Sequence, residues 1–428
     1  MIKESLLKQV LVEQKELLKP SPDYVERELL SKISSLNKLK HIVVITGHRR
    51  SGKSVFLSQI INKYYVLDNI YYLNLDDERL ASLSLKDMNT VMEVFTLLFG
   101  KKRVIFLDEI QNLEGWERFV SRLYNEGYKI FMTGSNAKLL SSELATFLTG
   151  RHIDIELYPF SFREFLAYKK SKLSDTKAFY RAEIRAKIRK FFDEYLRTGG
   201  FPEVVRYKKM ALLRTMFSDV ITKDVVGRYK VREVKTIREI AHFLISQAAS
   251  EFSYNRIKNI YSLGSVHTAK NYIEYLVSTY MFIELSRFSY SLKEVQTRIK
   301  KIYVVDNGLV RAMGFSPSQA VGKLYENLVL SELKRRGKEV YYYKDKRGRE
   351  IDFVIRENQK VSQCLQVCFD YEDEATLKRE INSLLAGLNE FKLKKGLILT
   401  SNNEDEFEIN GKKIVFTPVW KWLLEVEI

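Results

Sequence analysis

Gly47-His48-Arg49-Arg50-Ser51-Gly52-Lys53-Ser54 is a short basic loop bracketed by glycines, and it follows the β-branched run Ile42-Val43-Val44-Ile45. The spacing G-x-x-x-x-G-K-S between an expected strand and an expected helix is that of a loop that cradles phosphate. Each residue type has a physical reason to be there. Gly47 and Gly52 allow backbone conformations that a Cβ forbids and let the chain approach a phosphate closely. The amides of about Arg50, Ser51, Gly52, Lys53 and Ser54 can then point inward as an anion nest, at the positive end of the following helix, with Arg49 a further nucleotide-binding residue of the loop. The Lys53 ammonium reaches β- and γ-phosphates, and the Ser54 hydroxyl is a ligand for Mg²⁺.

A second apolar run, Val104-Ile105-Phe106-Leu107, ends in Asp108-Glu109. In a parallel sheet covered on both faces, strands read as continuous apolar runs and ligands sit at their carboxyl ends. Asp108 at such a tip would complete the Mg²⁺ shell, and Glu109 would orient and deprotonate an attacking water. Alone, the pair is equally a strand end with solvated acids. Together with the loop at Gly47 it points to hydrolysis of Mg-ATP.

These groups need a scaffold, and the chain supplies its pattern. Residues 1–40 read as helical, broken at Pro20-Ser21-Pro22, with Asp23 as the N-cap of a helix over 24–36. A helix follows the loop to about residue 65. Strands are expected over 69–75, 128–132 and 152–157, with an amphipathic helix around Trp116 to Leu123. Asp76-Asp77 either order the site or cap the next turn. Thr133-Gly134-Ser135-Asn136 end a strand beside the two phosphate elements, so Ser135 and Asn136 can sense a γ-phosphate, cap the next helix, or do both. Five such units with the loop first predict an α/β fold: a P-loop NTPase with a doubly wound parallel sheet. It is followed by a helical lid and winged helix and then by a small nuclease-like α/β domain. The expected divisions are 1–40, an N-terminal helical segment; 41–165, the ATPase domain; 166–234, the lid; 235–310, a winged helix-turn-helix; and 320–428, the last domain.

Past residue 165 the chemistry is less local. Arg181, Arg185, Lys187, Arg189 and Lys190 form a charged helix face, which is solvated or touches nucleic acid. Residues 237–288 read as three helices and a ribbon. On the third helix Val266, Ala269, Ile273 and Leu276 form the buried stripe, leaving His267, Lys270, Asn271 and Glu274 outside. Lys and Asn suit DNA, whereas Glu274 opposes a polyanion, so a protein-facing module is the alternative. In the last domain Glu326, Glu350 and Asp352 converge in an αβββαβ pattern.

The stretches at 47–54, Asp108-Glu109-Ile110-Gln111, Thr133-Gly134-Ser135-Asn136, Thr149-Gly150-Arg151 and Leu157-Tyr158-Pro159-Phe160-Ser161-Phe162 together resemble an archaeal and bacterial family of AAA-type ATPases. Its members carry a winged helix and a C-terminal domain of unknown function similar to a restriction endonuclease. Gly199-Gly200-Phe201-Pro202-Glu203, Lys301-Ile302-Tyr303-Val304-Val305-Asp306-Asn307-Gly308-Leu309 and Glu350-Ile351-Asp352-Phe353 extend the resemblance over nearly all of the chain beyond residue 40. The resemblance implies that Arg151 is a sensor or arginine finger, acting in cis or across a subunit interface of a homo-oligomer. It also implies a metal-binding Asp followed by Glu-x-Lys. Here Asp352 is present but Gln366-Val367-Cys368 stands at the second place, so Glu326, Glu350 and Asp352 are expected to be a vestigial nuclease site. Lys344, Lys346 and Lys378 are the lysines near enough in sequence to replace the missing one.

Composition bounds the rest. The chain is 45% hydrophobic and carries 71 Lys+Arg against 54 Asp+Glu, a formal charge of +17. That charge suits double-stranded DNA and equally the solvated surface of a Lys/Glu-rich thermophile. No apolar run is long enough for a membrane span and the start has no secretory pattern, so a cytoplasmic chain without membrane contact is expected. Cys364 and Cys368 are too far apart on one strand for a disulfide. The five histidines match no zinc spacing. The expected activity is an Mg²⁺-dependent ATPase coupled to DNA engagement. A nucleotide-switched signalling or scaffold protein and an ATP-regulated nuclease are the alternatives.

Overall fold

A computed structural model describes residues 2–18, 24–135, 148–170, 181–314, 321–369 and 371–425. The chain divides into two compact units. One comprises Met1–Tyr158 with Ser278–Tyr280, the other Pro159–Val277 with Met281–Ile428.

The first unit holds five parallel strands: β1 (Ile42–Thr46), β2 (Tyr71–Asn74), β3 (Val104–Asp108), β4 (Lys129–Gly134) and β5 (His152–Glu156). Their order is β2-β3-β4-β1-β5, with Val43 opposite Phe131 and Leu107 opposite Met132. The helices among them include α1 (Glu4–Glu16), α2 (Leu30–Leu36), α3 (Lys53–Tyr64), α4 (Met88–Phe99) and α5 (Trp116–Asn125). Alternation explains why the strands read as unbroken apolar runs. Ile42, Val44, Leu73, Ile105, Leu107, Ile130 and Met132 pack with α1, α4 and α5 on one face, and Val43, Ile45, Tyr72, Phe106 and Phe131 with α2 and α3 on the other. Both faces are dry, so neither needs polar residues. Because all five strands run the same way, their carboxyl ends share one edge.

Two local expectations change. The helix anticipated from residue 24 starts only at Leu30, because the preceding segment is tied to α3: Arg27 N donates to Gln59 Oε1 at 3.1 Å and Gln59 Nε2 to the Val25 carbonyl at 2.6 Å. Asp77 acts as a cap, accepting from Arg79 N at the start of the turn Glu78–Leu80.

The second unit begins with helices Phe162–Tyr168, Ala182–Thr198, Pro202–Tyr207 and Ala211–Asp219 and a π-helical stretch, Val220–Gly227. Phe162, Phe165, Phe192 and Tyr195 form an aromatic cluster inside it. Arg181, Arg185, Lys187, Arg189 and Lys190 all face solvent. Helices Val234–Ser246, Tyr254–Ile260 and Val266–Val277 come next, together with an antiparallel sheet of β6 (Ser250–Phe252), β7 (Phe282–Leu285) and β8 (Lys300–Val304), ordered β6-β8-β7. Ala269, Ile273 and Leu276 are buried as expected, but Val266 is exposed, since it opens the helix beyond its packed turns.

The chain ends in helix Val321–Arg335, β9 (Glu339–Lys344), β10 (Glu350–Glu357), β11 (Lys360–Cys368), helix Glu374–Glu390, β12 (Lys395–Thr400), β13 (Asp405–Ile409) and β14 (Lys412–Pro418). They form a six-stranded sheet ordered β13-β14-β12-β11-β10-β9. The hairpin β13–β14 is absent from the sequence reading. Both cysteines are buried on β11 and no disulfide joins them.

One polar knot ties early and late parts of this unit together. Asp306 Oδ2 accepts from Gly200 N at 2.7 Å and its Oδ1 from Gly308 N at 2.8 Å, capping helix Asn307–Met313. A Cβ on Gly199 would lie 1.8 Å from Asp306 Oδ1, so only glycine fits there. Asn327 closes the knot, donating to Val304 O and accepting from Val304 N at 2.8 Å each.

Candidate functional site

β1 stops at Gly47, whose φ of 137° only glycine adopts freely, and whose missing Cβ would otherwise sit 2.3 Å from the Leu157 carbonyl. Arg50 and Gly52 also take positive φ, 63° and 97°, and the chain then turns into α3 at Lys53. Lys53 is buried. Its Nζ donates to the carbonyls of Gly47 and His48, each at 3.3 Å, and lies 3.4 Å from Glu109 Oε1. One ammonium thus joins the phosphate loop to the tip of β3.

Two strands away in the sheet, Asp108 is wholly buried, with β4 between. Thr133 Oγ1, on β4, donates to Asp108 Oδ1 and accepts from Glu109 N at 2.8 Å, and Tyr72 OH donates to Asp108 Oδ2 at 3.2 Å. Ser54 also donates to Asp108. Burial, aided by the charge of Glu109, pushes the Asp108 carboxyl up, against the hydrogen bonds from Thr133 and Ser54 and the charge of Lys53. Two hard oxygen donors, Ser54 and Asp108, are therefore adjacent, which fits Mg²⁺, an ion held by one or two carboxylates plus substrate phosphates.

Glu109 sits in the left-handed region at φ 51°, a conformation costing a non-glycine residue about 1 kcal/mol. Burial raises the pKa of Glu109, but Lys53, the Gln111 amide and Arg49 outweigh it and hold the carboxyl below the usual glutamate value. It is ionised at neutral pH, as a base must be. Gln111 Nε2 donates to Glu109 Oε2 and lies 3.4 Å from Ser135 Oγ. Gln111 Oε1 and Ser51 Oγ are buried without hydrogen-bond partners among the described residues.

The structure thus gathers Gly47, Arg49, Gly52, Lys53, Ser54, Asp108, Glu109 and Ser135 around one edge of the sheet, with Arg50 and Ser51 in the loop itself. Asn136 lies outside the described residues. Arg151 does not join them. Its carbonyl accepts from Ile42 N at 2.9 Å, at the opposite end of β1, and five strand residues put about 15 Å between that point and the loop. Its guanidinium lies over the Tyr124 ring, 5.5 Å from the centroid, and 3.4 Å from Asn125 Oδ1. Action on its own phosphate loop is out of reach.

Sequence reasoning missed Arg27, Gln111 and Tyr72. Arg27 is buried. Its Nη1 donates to the Ser51 carbonyl at 2.9 Å and its Nη2 to the Tyr158 carbonyl at 2.5 Å, so it braces the phosphate loop from behind. Only Gln111 left a signal, its place in Asp108-Glu109-Ile110-Gln111.

In the second unit, His267 and Lys270 are exposed and Asn271 is half-buried on helix Val266–Val277. Asn271 Nδ2 is 3.2 Å from His267 Nδ1, and Lys270 pairs with Glu274 at 3.8 Å. Glu326, Glu350 and Asp352 do meet, and Lys301, which the sequence offered only at the head of a family-like stretch and not as a partner of these acids, stands among them. Lys301 Nζ is 2.9 Å from Glu326 Oε1, 2.6 Å from Glu350 Oε1 and 3.8 Å from Asp352 Oδ1. Burial works against the charge on Lys301, but the surrounding oxygens keep it protonated; burial and Glu326 push Asp352, the farthest acid from the ammonium, upward.

Known proteins agree with the fold. A family model described as an AAA domain matches residues 39–166. Two domains of unknown function, DUF8612 and DUF4143, match residues 189–319 and 321–422. The uncharacterized protein MJ1544 of Methanocaldococcus jannaschii is 33% identical, covering 99% of this chain and 96% of its own. A Haemophilus influenzae protein is 31% identical over 90% of this chain and 94% of its own. A solved structure, Cdc6p of Pyrobaculum aerophilum, covers 77% of this chain and 98% of its own at 13% identity with a TM-score of 0.29, too loose a match to argue from. With a parallel sheet carrying the phosphate loop after β1, an AAA-domain match over it and relatives that match over nine-tenths or more of the chain, the chain belongs to the family of AAA-type P-loop ATPases.

Proposed function

We propose that this protein is an Mg²⁺-dependent ATPase that couples its nucleotide state to engagement of double-stranded DNA. The observation that carries the ATPase part is the junction of Lys53, Ser54, Asp108, Thr133 and Glu109 at one sheet edge. Lys53 would exchange its loop carbonyls for β- and γ-phosphate oxygens. Ser54 and Asp108 would hold Mg²⁺, which when bound neutralises charge across those oxygens. Glu109, ionised and oriented by Gln111, takes the proton from the attacking water. Ser135, linked to Glu109 through Gln111, is the γ-phosphate sensor. Arg151, facing away from its own loop, serves the nucleotide of a neighbouring subunit in a homo-oligomer.

For DNA, the support is the +17 charge and the second unit's helices and three-stranded sheet, read as a winged helix with His267 and Lys270 outward and Asn271 half-buried beside them. One observation favours the other reading, a nucleotide-switched scaffold that binds protein: Glu274 partly neutralises Lys270 on that same face. ATP turnover and binding of double-stranded DNA across a salt series separate them. Phosphate contacts make log K fall linearly with log salt, and the DNA reading expects that slope to shrink in Lys270→Ala. Binding that ignores salt, or no binding, favours the scaffold.

A further inference from the structure

The acidic cluster of the second unit is built around an amine. Glu326 comes from helix Val321–Arg335, Glu350 and Asp352 come from β10, and Lys301 reaches them from β8 of the three-stranded sheet. Each acid oxygen facing the centre is engaged. Glu326 Oε1 takes Lys301 and, at 2.6 Å, Tyr303 OH. Glu350 gives Oε1 to Lys301 and Oε2 to Lys344 at 3.6 Å. Asp352 Oδ2 accepts from Val367 N at 2.9 Å while Oδ1 faces Lys301. The Gln366 amide, standing where the resemblance to a nuclease implies a metal-binding glutamate, is spent on Asp352 N, Glu350 O and Glu380.

This donor set does not fit a divalent ion. Among the described residues no group of three or more His, Cys, Asp or Glu is disposed to hold a metal, and a buried ammonium fills the point on which these carboxylates converge. We propose that Lys301 is a built-in cation that replaces the metal of a nuclease-type acid cluster, so that the cluster fastens β8 to β10 and helix Val321–Arg335 and has no cleavage chemistry. The lysine that the sequence sought near β11 comes instead from a strand about sixty residues before it, and its ammonium faces acids where a catalytic lysine would face water. The proposal rests on the second unit alone and is independent of the nucleotide site.

The test is Mn²⁺ titration of the nucleotide-free protein, followed by thermal shift and by paramagnetic resonance of the bound ion, with a cleavage assay on linear and supercoiled DNA. Wild type is expected to show no saturable Mn²⁺ binding that depends on Asp352, any binding at Ser54 and Asp108 being unaffected by Asp352→Asn, and no cleavage. Lys301→Gln is expected to melt several degrees lower and to gain a saturable upward shift with millimolar Mn²⁺, lost again in Lys301→Gln/Asp352→Asn. Wild-type Mn²⁺ binding or cleavage that Asp352→Asn abolishes would overturn the proposal, and so would a folded Lys301→Gln that gains no Mn²⁺ binding over wild type. If Lys301→Gln does not fold, the wild-type measurements decide alone.

Discussion

At the scale of single residues, the phosphate loop shows how much can hang on a side chain outside the motif. Lys53 and Glu109 were legible because loop and strand tip are each contiguous in sequence, and their chemistry follows from residue type. Arg27 was not, because its two acceptors, Ser51 and Tyr158, are 24 and 131 residues away. Its segment also looked like the start of a helix. The guanidinium is buried and its planar fork meets both carbonyls, a geometry lysine cannot reproduce. A buried charged hydrogen bond contributes roughly 1.5–3 kcal/mol, so Arg27→Ala should weaken ATP affinity about tenfold to a hundredfold. Free guanidinium should restore part of it, and Arg27→Lys should not. Unchanged affinity in Arg27→Ala, with Lys53→Ala still defective, would reduce Arg27 to a packing role.

At the scale of elements, the parallel strands and the order of the last domain were readable from their apolar runs, while what joins distant elements was not. Gly199-Gly200 and Asp306-Asn307-Gly308 were each conspicuous, but only the fold shows that they form one knot. Lys301 escaped for the same reason: its acids come from two other elements. β13 has the polar, exposed face of an edge and no apolar run to announce it, while β14, although it carries the apolar run Ile414-Val415-Phe416, pairs in parallel with β12, from which β13 separates it in the chain. The knot has a pH signature. Burial pushes the Asp306 carboxyl up to about 6 from its ordinary 3.8, against the amides of Gly200 and Gly308. Between those values the native chain holds a proton that the unfolded chain has released. The contribution of Asp306 to stability is therefore fully present below about pH 4 and is lost as pH rises through about 6. Asp306→Asn should flatten that part of the profile of melting temperature against pH. A profile that falls as steeply in the variant as in the wild type would assign the titration elsewhere.

At the scale of the whole molecule, the account joins one nucleotide site to functions that need more than one subunit or a partner. Arg151 sits at the far end of β1 from its own loop, so its effect should appear only between subunits. Arg151→Ala should lower turnover by ~10³ with ATP affinity kept, and mixing it with Lys53→Ala should restore activity, since each supplies what the other lacks. Failure of the mixture, with both parents folded, would return Arg151 to a structural place over Tyr124. Among the described residues no helix is long and apolar enough to cross a membrane. All of this depends on the sheet edge hydrolysing ATP. The most direct test is single-turnover hydrolysis of ATP with Mg²⁺ by wild type and Glu109→Gln, each with its ATP affinity measured. The account predicts hydrolysis by wild type, and in Glu109→Gln undiminished ATP binding with turnover lower by roughly 10²-fold or more. Turnover in Glu109→Gln equal to that of wild type, or no hydrolysis by a wild type that binds ATP, would contradict it.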